Sequence, residues 1–244
     1  RQAGAYERRI DNSPAYIRAA CEAALQRLGV EQIDLFYCHR RDPQVPLEDM
    51  VGTLAALVRE GKVAAIGLSE VSAASLRTAH AVHPIAAVQS EYSLWERGAE
   101  AEVLPTTREL GVAFVAYSPL GRSFLTNQPP AADTLEPGDF RLALPRFQGE
   151  AAAANLSLQQ GLAAIATELG QPAAAVALAW LLHRQPHVLP IPGTRRLHHL
   201  QQNLAASALV LPAPVVQALD TLFAPGRAQG ERYPDAGWAG VETR

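Results

Sequence analysis

The chain has 244 residues, 48% hydrophobic and 18% charged, with 18 prolines, 17 glycines and two cysteines. That composition supports a packed core and excludes a disordered, collagen-like or disulfide-stapled protein. Lys+Arg number 21 against 24 Asp+Glu, for a formal net charge of -3, and the basic residues are scattered, so no footprint for nucleic acid exists.

From Ser13 the pattern becomes regular. Ser13 and Pro14 supply an N-cap and a first-turn proline, Ile17, Cys21, Ala24, Leu25 and Leu28 recur at helical spacing, and Gly29 supplies the stop. A β-prone run over 33–38 follows, then a helix opened by Pro46 with Leu47, Met50, Val51, Leu54 and Val58 on one face. The alternation continues with strands over 63–68, 85–89 and 112–117 and helices over 72–82 and 101–110. A Pro- and Gly-rich stretch over 121–155 reads as a long functional loop. Helices over 157–169 and 172–184, a strand over 188–191 and helices over 196–206 and 213–223 complete the chain, read as one domain over 1–244.

Nearly all-apolar strands alternating with helices predict a parallel α/β sheet. The phosphate fingerprint G-x-G-x-x-G of an open dinucleotide-binding sheet is missing, whereas polar residues gather where strands end: His39, Ser69 with Glu70, Gln89, Tyr117 with Ser118, and Gly193 with Thr194. Strand ends delivering polar groups to one rim predict a (β/α)8 barrel, here a partial one with five of its eight strands. At about 30 residues per βα unit, three units are expected to be missing from the front, and the natural gene product is expected to be longer. Unpaired strand edges make self-association expected.

No apolar run reaches the roughly 20 residues of a bilayer span. Neither a signal-peptide core nor a zinc-type cysteine set is visible, so the expectation is a cytoplasmic protein with no membrane partner and no metal. Lys62 is the sole lysine and precedes a strand, on the barrel face opposite the strand ends. That placement excludes a Schiff-base aldolase, which would need a lysine at a strand's C-terminal end.

The rim resembles the aldo/keto reductase superfamily, particularly its bacterial and plant-type members. The matching stretches, in the family's order, are RLGVEQIDLFYCHR over 27–40, GKVAAIGLSE over 61–70, VQSEYSLW over 88–95, AYSPLGR over 116–122, PRFQG over 145–149, IPGTRR over 191–196 and Gln202-Asn203. The resemblance implies reduction of an aldehyde or ketone to an alcohol by the pro-R hydride of NADPH. His39 matches the histidine that orients or polarises the carbonyl, and it is the only catalytic residue matched. The family's tyrosine, aspartate and lysine fall on the first three βα units. Ser69, Glu70 and Gln89 match positions that bind the nicotinamide carboxamide, with glutamate where many relatives carry asparagine, and Tyr117 matches the residue that stacks on the ring. Ser118, Leu120, Gly121 and Arg122 match the pyrophosphate loop. Gly193, Thr194 and Arg196 match the 2′-phosphate segment, favouring NADP(H), and Gln202 and Asn203 match the adenine-reading pair. Arg40, Trp95 and Phe124 are expected to line the substrate mouth. The alternative is a truncated, catalytically inactive nicotinamide-binding protein or regulatory subunit, favoured by the unmatched tyrosine and lysine.

Overall fold

The computed structural model describes residues 9–243. Among them are five strands, β1 (Ile33–Cys38), β2 (Val63–Ser69), β3 (Ala87–Glu91), β4 (Ala113–Tyr117) and β5 (Val188–Pro190). The helices are α1 (Pro14–Leu28), α2 (Leu47–Arg59), α3 (Ala73–Val82), α4 (Val103–Leu110), α5 (Gly149–Glu168), α6 (Ala173–Arg184), α7 (Leu197–Ala205) and α8 (Ala213–Leu222). The sheet order is β1-β2-β3-β4-β5, with parallel pairing. The result is an α/β fold carrying five parallel strands.

Two compact units emerge: one from the described residues up to 89 with 101–113 and the tail from 238, the other from 90–100 and 114–237. In the first, Ile33 to Cys38 of β1 lie opposite Val63 to Leu68 of β2, and Gly67 to Ser69 lie opposite Ala87 to Gln89. Helix α1 begins as its sequence requires, with the Ser13 hydroxyl accepting from the Tyr16 N–H. It buries Ile17, Cys21 and Leu25, and α2 buries Met50, Val51, Leu54 and Leu57 over a strand layer that contributes Ile66 and Leu68. These side chains form the first core.

In the second unit Phe114 to Ala116 lie opposite Val188 to Pro190. Helix α6 is buried on every face from Ala173 to Leu181, as an alanine-rich helix without a polar stripe must be. Its Trp180 tilts against Tyr92 with ring centroids 5.8 Å apart, and Tyr92 meets Phe114 edge-on at the same separation. The Tyr92 hydroxyl donates to Glu100 at 2.7 Å, and both burial and that carboxylate push its phenol pKa far up.

Two boundaries differ from the sequence reading. Helix α5 starts at Gly149, eight residues before Ser157, and the long connection ahead of it contains three short 3-10 turns. Strand β3 runs two residues later than expected, ending at Glu91. No single helix among the described residues is long and apolar enough to cross a membrane.

Candidate functional site

The expected site residues fall on both units, and each unit builds its share separately. In the first, β1 ends in Tyr37 and Cys38 and hands on to His39, which is exposed, and Arg40, which is buried. Tyr37 lies opposite Gly67 in the strand register. A Cβ at Gly67 would come within 2.5 Å of the Tyr37 ring, so glycine is what lets the ring lie across β2. Burial raises the Tyr37 phenol pKa, and a hydrogen bond with the Gln89 side chain partly offsets it. The Cys38 thiol donates to the Arg40 carbonyl at 3.3 Å, and burial pushes its pKa up to about 11, so it is not a thiolate at neutral pH.

At the end of β2, Ser69 is 3% exposed and its hydroxyl accepts from Arg40 Nη1 at 3.0 Å. Glu70 is fully buried in a left-handed conformation, φ 56, with its N–H donated to the Gln89 carbonyl at 3.0 Å. The tail engages it twice: the Thr243 hydroxyl donates to its carboxylate, and the Glu242 N–H donates to its carbonyl at 2.8 Å. The Glu242 carboxylate accepts from the Ser72 N–H at 2.9 Å, near the start of α3, and from Arg41 at 2.5 Å. Burial alone would raise the Glu242 carboxyl pKa, but hydrogen bonds from Ser72, Ser75 and Arg41 hold it below the usual range.

In the second unit, Tyr117 ends β4 and shares a 2.7 Å hydrogen bond with the hydroxyl of Tyr233. The loop that follows is unusual in its backbone: Ser118, Gly121, Arg122 and Ser123 all have positive φ, at 48, 55, 58 and 75. Three successive left-handed residues, two of them not glycine, are costly unless the surroundings enforce them. The loop's internal bonds run from Gly121 N–H to the Ser118 carbonyl, Phe124 N–H to Gly121 and Leu125 N–H to Leu120. Among the described residues no acceptor takes the N–H groups of Arg122 and Ser123. Backbone N–H groups exposed in such a run form an anion-binding nest. Ser118, Leu120, Arg122, Ser123, Arg141 and Gly193 line a cavity of about 330 Å³ at this loop.

The Arg122 guanidinium is otherwise engaged. It makes a bidentate pair with Glu91 at 2.6 and 2.8 Å, with side chains 6% and 1% exposed. Burial opposes its charge, but Glu91 keeps it protonated. Arg232 approaches the same carboxylate at 3.7 Å, and the Tyr233 hydroxyl donates to it at 3.5 Å. What Arg122 offers to a ligand in the cavity is therefore its backbone.

Past β5, the Thr194 hydroxyl accepts from the Arg196 N–H at 3.2 Å just before α7. Arg195 and Arg196 are exposed, and neither guanidinium pairs with a carboxylate among the described residues. Gln202 and Asn203 lie half-buried on α7. Trp95 and Phe124 are 3% and 4% exposed, stacked at 4.0 Å and capped edge-on by Phe147, so the structure places them in an aromatic core.

The aldo/keto reductase family model matches residues 3–224. The chain belongs to the aldo/keto reductase family. Among solved structures, this aldo/keto reductase chain is similar to a thermostable aldo-keto reductase crystallised with the inhibitor epalrestat. The two are 28% identical with a TM-score of 0.69, over 86% of this chain and 66% of that one. It is also similar to a glycerol dehydrogenase from Gluconobacter oxydans, at 28% identity and TM-score 0.81, over 92% of this chain and 68% of that one. It thus spans about two thirds of the length of the aldo-keto reductases it matches, and its five parallel strands form part of their barrel.

Sequence reasoning missed Glu91, Tyr233 and the tail residues Glu242 and Thr243 in this aldo/keto reductase chain. Glu91 carried a usable signal: a carboxylate at the end of an otherwise buried strand implies a buried cationic partner. The tail carried none, because its contacts are made with residues roughly 170 to 200 positions away.

Proposed function

We propose that the chain serves the NADP(H)-dependent reduction of an aldehyde or ketone to an alcohol. The observation that carries this reading is the left-handed run in the loop after β4, whose Arg122 and Ser123 N–H groups face no acceptor among the described residues and whose residues share a cavity with Gly193. Such a nest suits a pyrophosphate. Arg195 and Arg196, at the start of α7 and without carboxylate partners among the described residues, suit a dianionic 2′-phosphate, because a helix N-terminus disfavours arginine unless an anion lies near.

When bound, the reduced nicotinamide supplies a hydride to the carbonyl carbon. Charge then develops on the carbonyl oxygen, and the proposed role of His39 is to donate to that oxygen, stabilising the transition state more than the ground state. Ser69 and Gln89 are proposed to hold the carboxamide. The Ser69 hydroxyl, already accepting from Arg40, is left with its own proton to donate. Glu70, whose carboxylate accepts from Thr243 through one of its two oxygens, is proposed to accept from the carboxamide NH2. Tyr117, its hydroxyl fixed by Tyr233, is proposed to present its ring to the nicotinamide face.

A second reading, cofactor binding without turnover, is favoured by Lys62. This sole lysine stands at the start of β2 and pairs with Glu22 at 2.5 Å and Glu60 at 3.2 Å, away from any strand end. Fluorescence titration with NADPH and NADH, followed by NADPH oxidation with a panel of aldehydes, separates the two readings. Arg196→Ala is expected to weaken NADPH binding by about 1–3 kcal/mol, the range for a charge-assisted hydrogen bond, and to spare NADH. Equal loss for both cofactors would refute the 2′-phosphate role.

A further inference from the structure

Tyr233 belongs to a segment of the second unit that its neighbours fix in place. Ahead of it, Gln229 trades two hydrogen bonds with the fully buried Asn155 of α5, its carbonyl accepting from Nδ2 at 2.9 Å and its N–H donating to Oδ1 at 2.8 Å. The Gly230 carbonyl accepts from Arg146 Nε at 3.1 Å, and a Cβ at this residue, whose φ is 83, would stand 3.0 Å from the Pro145 and Arg146 backbone. Behind it, the Gly237 N–H donates to the Pro234 carbonyl at 2.7 Å and closes a turn. A backbone held on both sides restricts where the Tyr233 side chain can go.

The ring is held as well. The Arg122 and Arg232 guanidinium carbons lie 5.3 and 5.5 Å from its centroid, within cation–π range. Both cations also approach the buried Glu91 carboxylate, Arg122 at 2.6 Å and Arg232 at 3.7 Å. The Tyr233 hydroxyl is directed at that carboxylate at 3.5 Å and meets the Tyr117 hydroxyl at 2.7 Å. A phenol fixed by its segment and by two cations thus ends on the phenol of Tyr117. Tyr117 is the last residue of β4, where the strand gives way to the left-handed loop, and Tyr233 ties the outer end of its side chain. A flat ligand stacks more tightly on a ring that is already immobile, because ordering a side chain on binding subtracts from affinity.

We propose that Tyr233 is a positioning residue for the nicotinamide half of the cofactor. It holds the Tyr117 ring in the orientation on which the nicotinamide stacks, and through Glu91 and Arg122 it links that ring to the pyrophosphate loop. The proposal rests on the NADP(H) reading of this site. In this role Tyr233 acts through Tyr117 and does not itself touch the nicotinamide.

The test compares NADP+ with 2′-phospho-ADP-ribose, which carries the pyrophosphate and the 2′-phosphate without the nicotinamide ring. Calorimetry on the full wild-type chain is expected to show tighter binding of NADP+, and NMR an upfield shift of the nicotinamide protons from the Tyr117 ring. Tyr233→Phe keeps the ring between the two guanidinium groups and removes only the hydroxyl. It is expected to weaken NADP+ binding about three- to tenfold, the range for one hydrogen bond, and to leave 2′-phospho-ADP-ribose within about twofold. The upfield shift is expected to shrink with it. Tyr117→Phe is expected to reproduce these losses and the double variant to add nothing further, since both substitutions remove the same bond. Wild-type affinity for NADP+ in Tyr233→Phe overturns the proposal, as does equal weakening of both ligands, the mark of a damaged loop. Equal wild-type affinity for the two ligands also overturns it and leaves the pyrophosphate reading standing. A wild-type chain that binds neither refutes the NADP(H) reading itself, and the positioning role falls with it.

Discussion

Arg122 and Arg40 both follow the end of a parallel strand, both have side chains removed from solvent, and they have opposite electrical surroundings. Arg122 is gripped at both terminal nitrogens by Glu91, with Tyr233 and Arg232 gathered about the same carboxylate. Arg40 has a carbonyl and a hydroxyl, both neutral. A buried pair whose charges cancel holds a segment in shape, here the loop that carries the left-handed run. The Arg40 charge, with no carboxylate beside it among the described residues, is met only by neutral oxygens of its own surroundings. Residue type and burial do not separate the two settings; the presence of a carboxylate within 3 Å does.

The contrast can be broken most forcefully at Glu91. Glu91→Ala leaves Arg122 desolvated and unpaired, and the expected loss is about 3–5 kcal/mol of stability, read as a lower midpoint in urea unfolding. Arg40→Gln removes a charge with no counter-charge among the described residues, and the expected change is within about 1 kcal/mol. Comparable losses at the two positions would erase the distinction. A middle-sized effect is expected at Gly121, where φ is 55 and a Cβ would stand 2.9 Å from the Trp95 ring. Gly121→Ala should cost about 1–3 kcal/mol and weaken NADPH binding by disturbing the nest. Unchanged stability and affinity would show that the loop adapts freely.

The smallest effect belongs to the tail. The Glu242 carboxyl has a lower pKa folded than unfolded, so its contribution is fully present above the unfolded value and is lost as pH falls through the folded one. In wild type, stability attributable to this group should therefore decline below about pH 4.5. Glu242→Gln should be less stable near neutrality and approach the wild type as acid is added. Parallel pH profiles for the two proteins would mean that the Ser72 and Arg41 contacts contribute nothing.

Much of the fold was written locally. Ser13-Pro14 began α1 where its capping chemistry says, and the apolar spacing of α2 buried the face it predicts. Helix α5 was not legible at its start, because Gly149 to Ala154 offers neither a capping side chain nor an apolar stripe, and its amino end is secured by distant groups such as Asn155 bonding to Arg146 and Gln229. The rim residues His39, Ser69 and Tyr117 were legible because each follows or ends a strand, and Gln89 because it ends the apolar run over 85–89, although β3 continues to Glu91. What their side chains do was not, since Tyr233 and Arg40 decide the environment of Tyr117 and Ser69 from 116 and 29 residues away. Arg122 shows the same limit: its backbone suits the loop it was read into, while its guanidinium answers to Glu91.

Lys62 has a practical meaning as well. In a chain whose other 20 basic side chains are arginines, it offers amine-directed reagents a single side-chain target. Hydrogen bonds with Glu22 and Glu60 raise its pKa, so acylation there needs alkaline solution. The Lys62 backbone stands about 23 Å from that of Ser69, seven extended residues on at about 3.3 Å per residue. That spacing suits energy transfer to a fluorescent ligand without a single engineered cysteine.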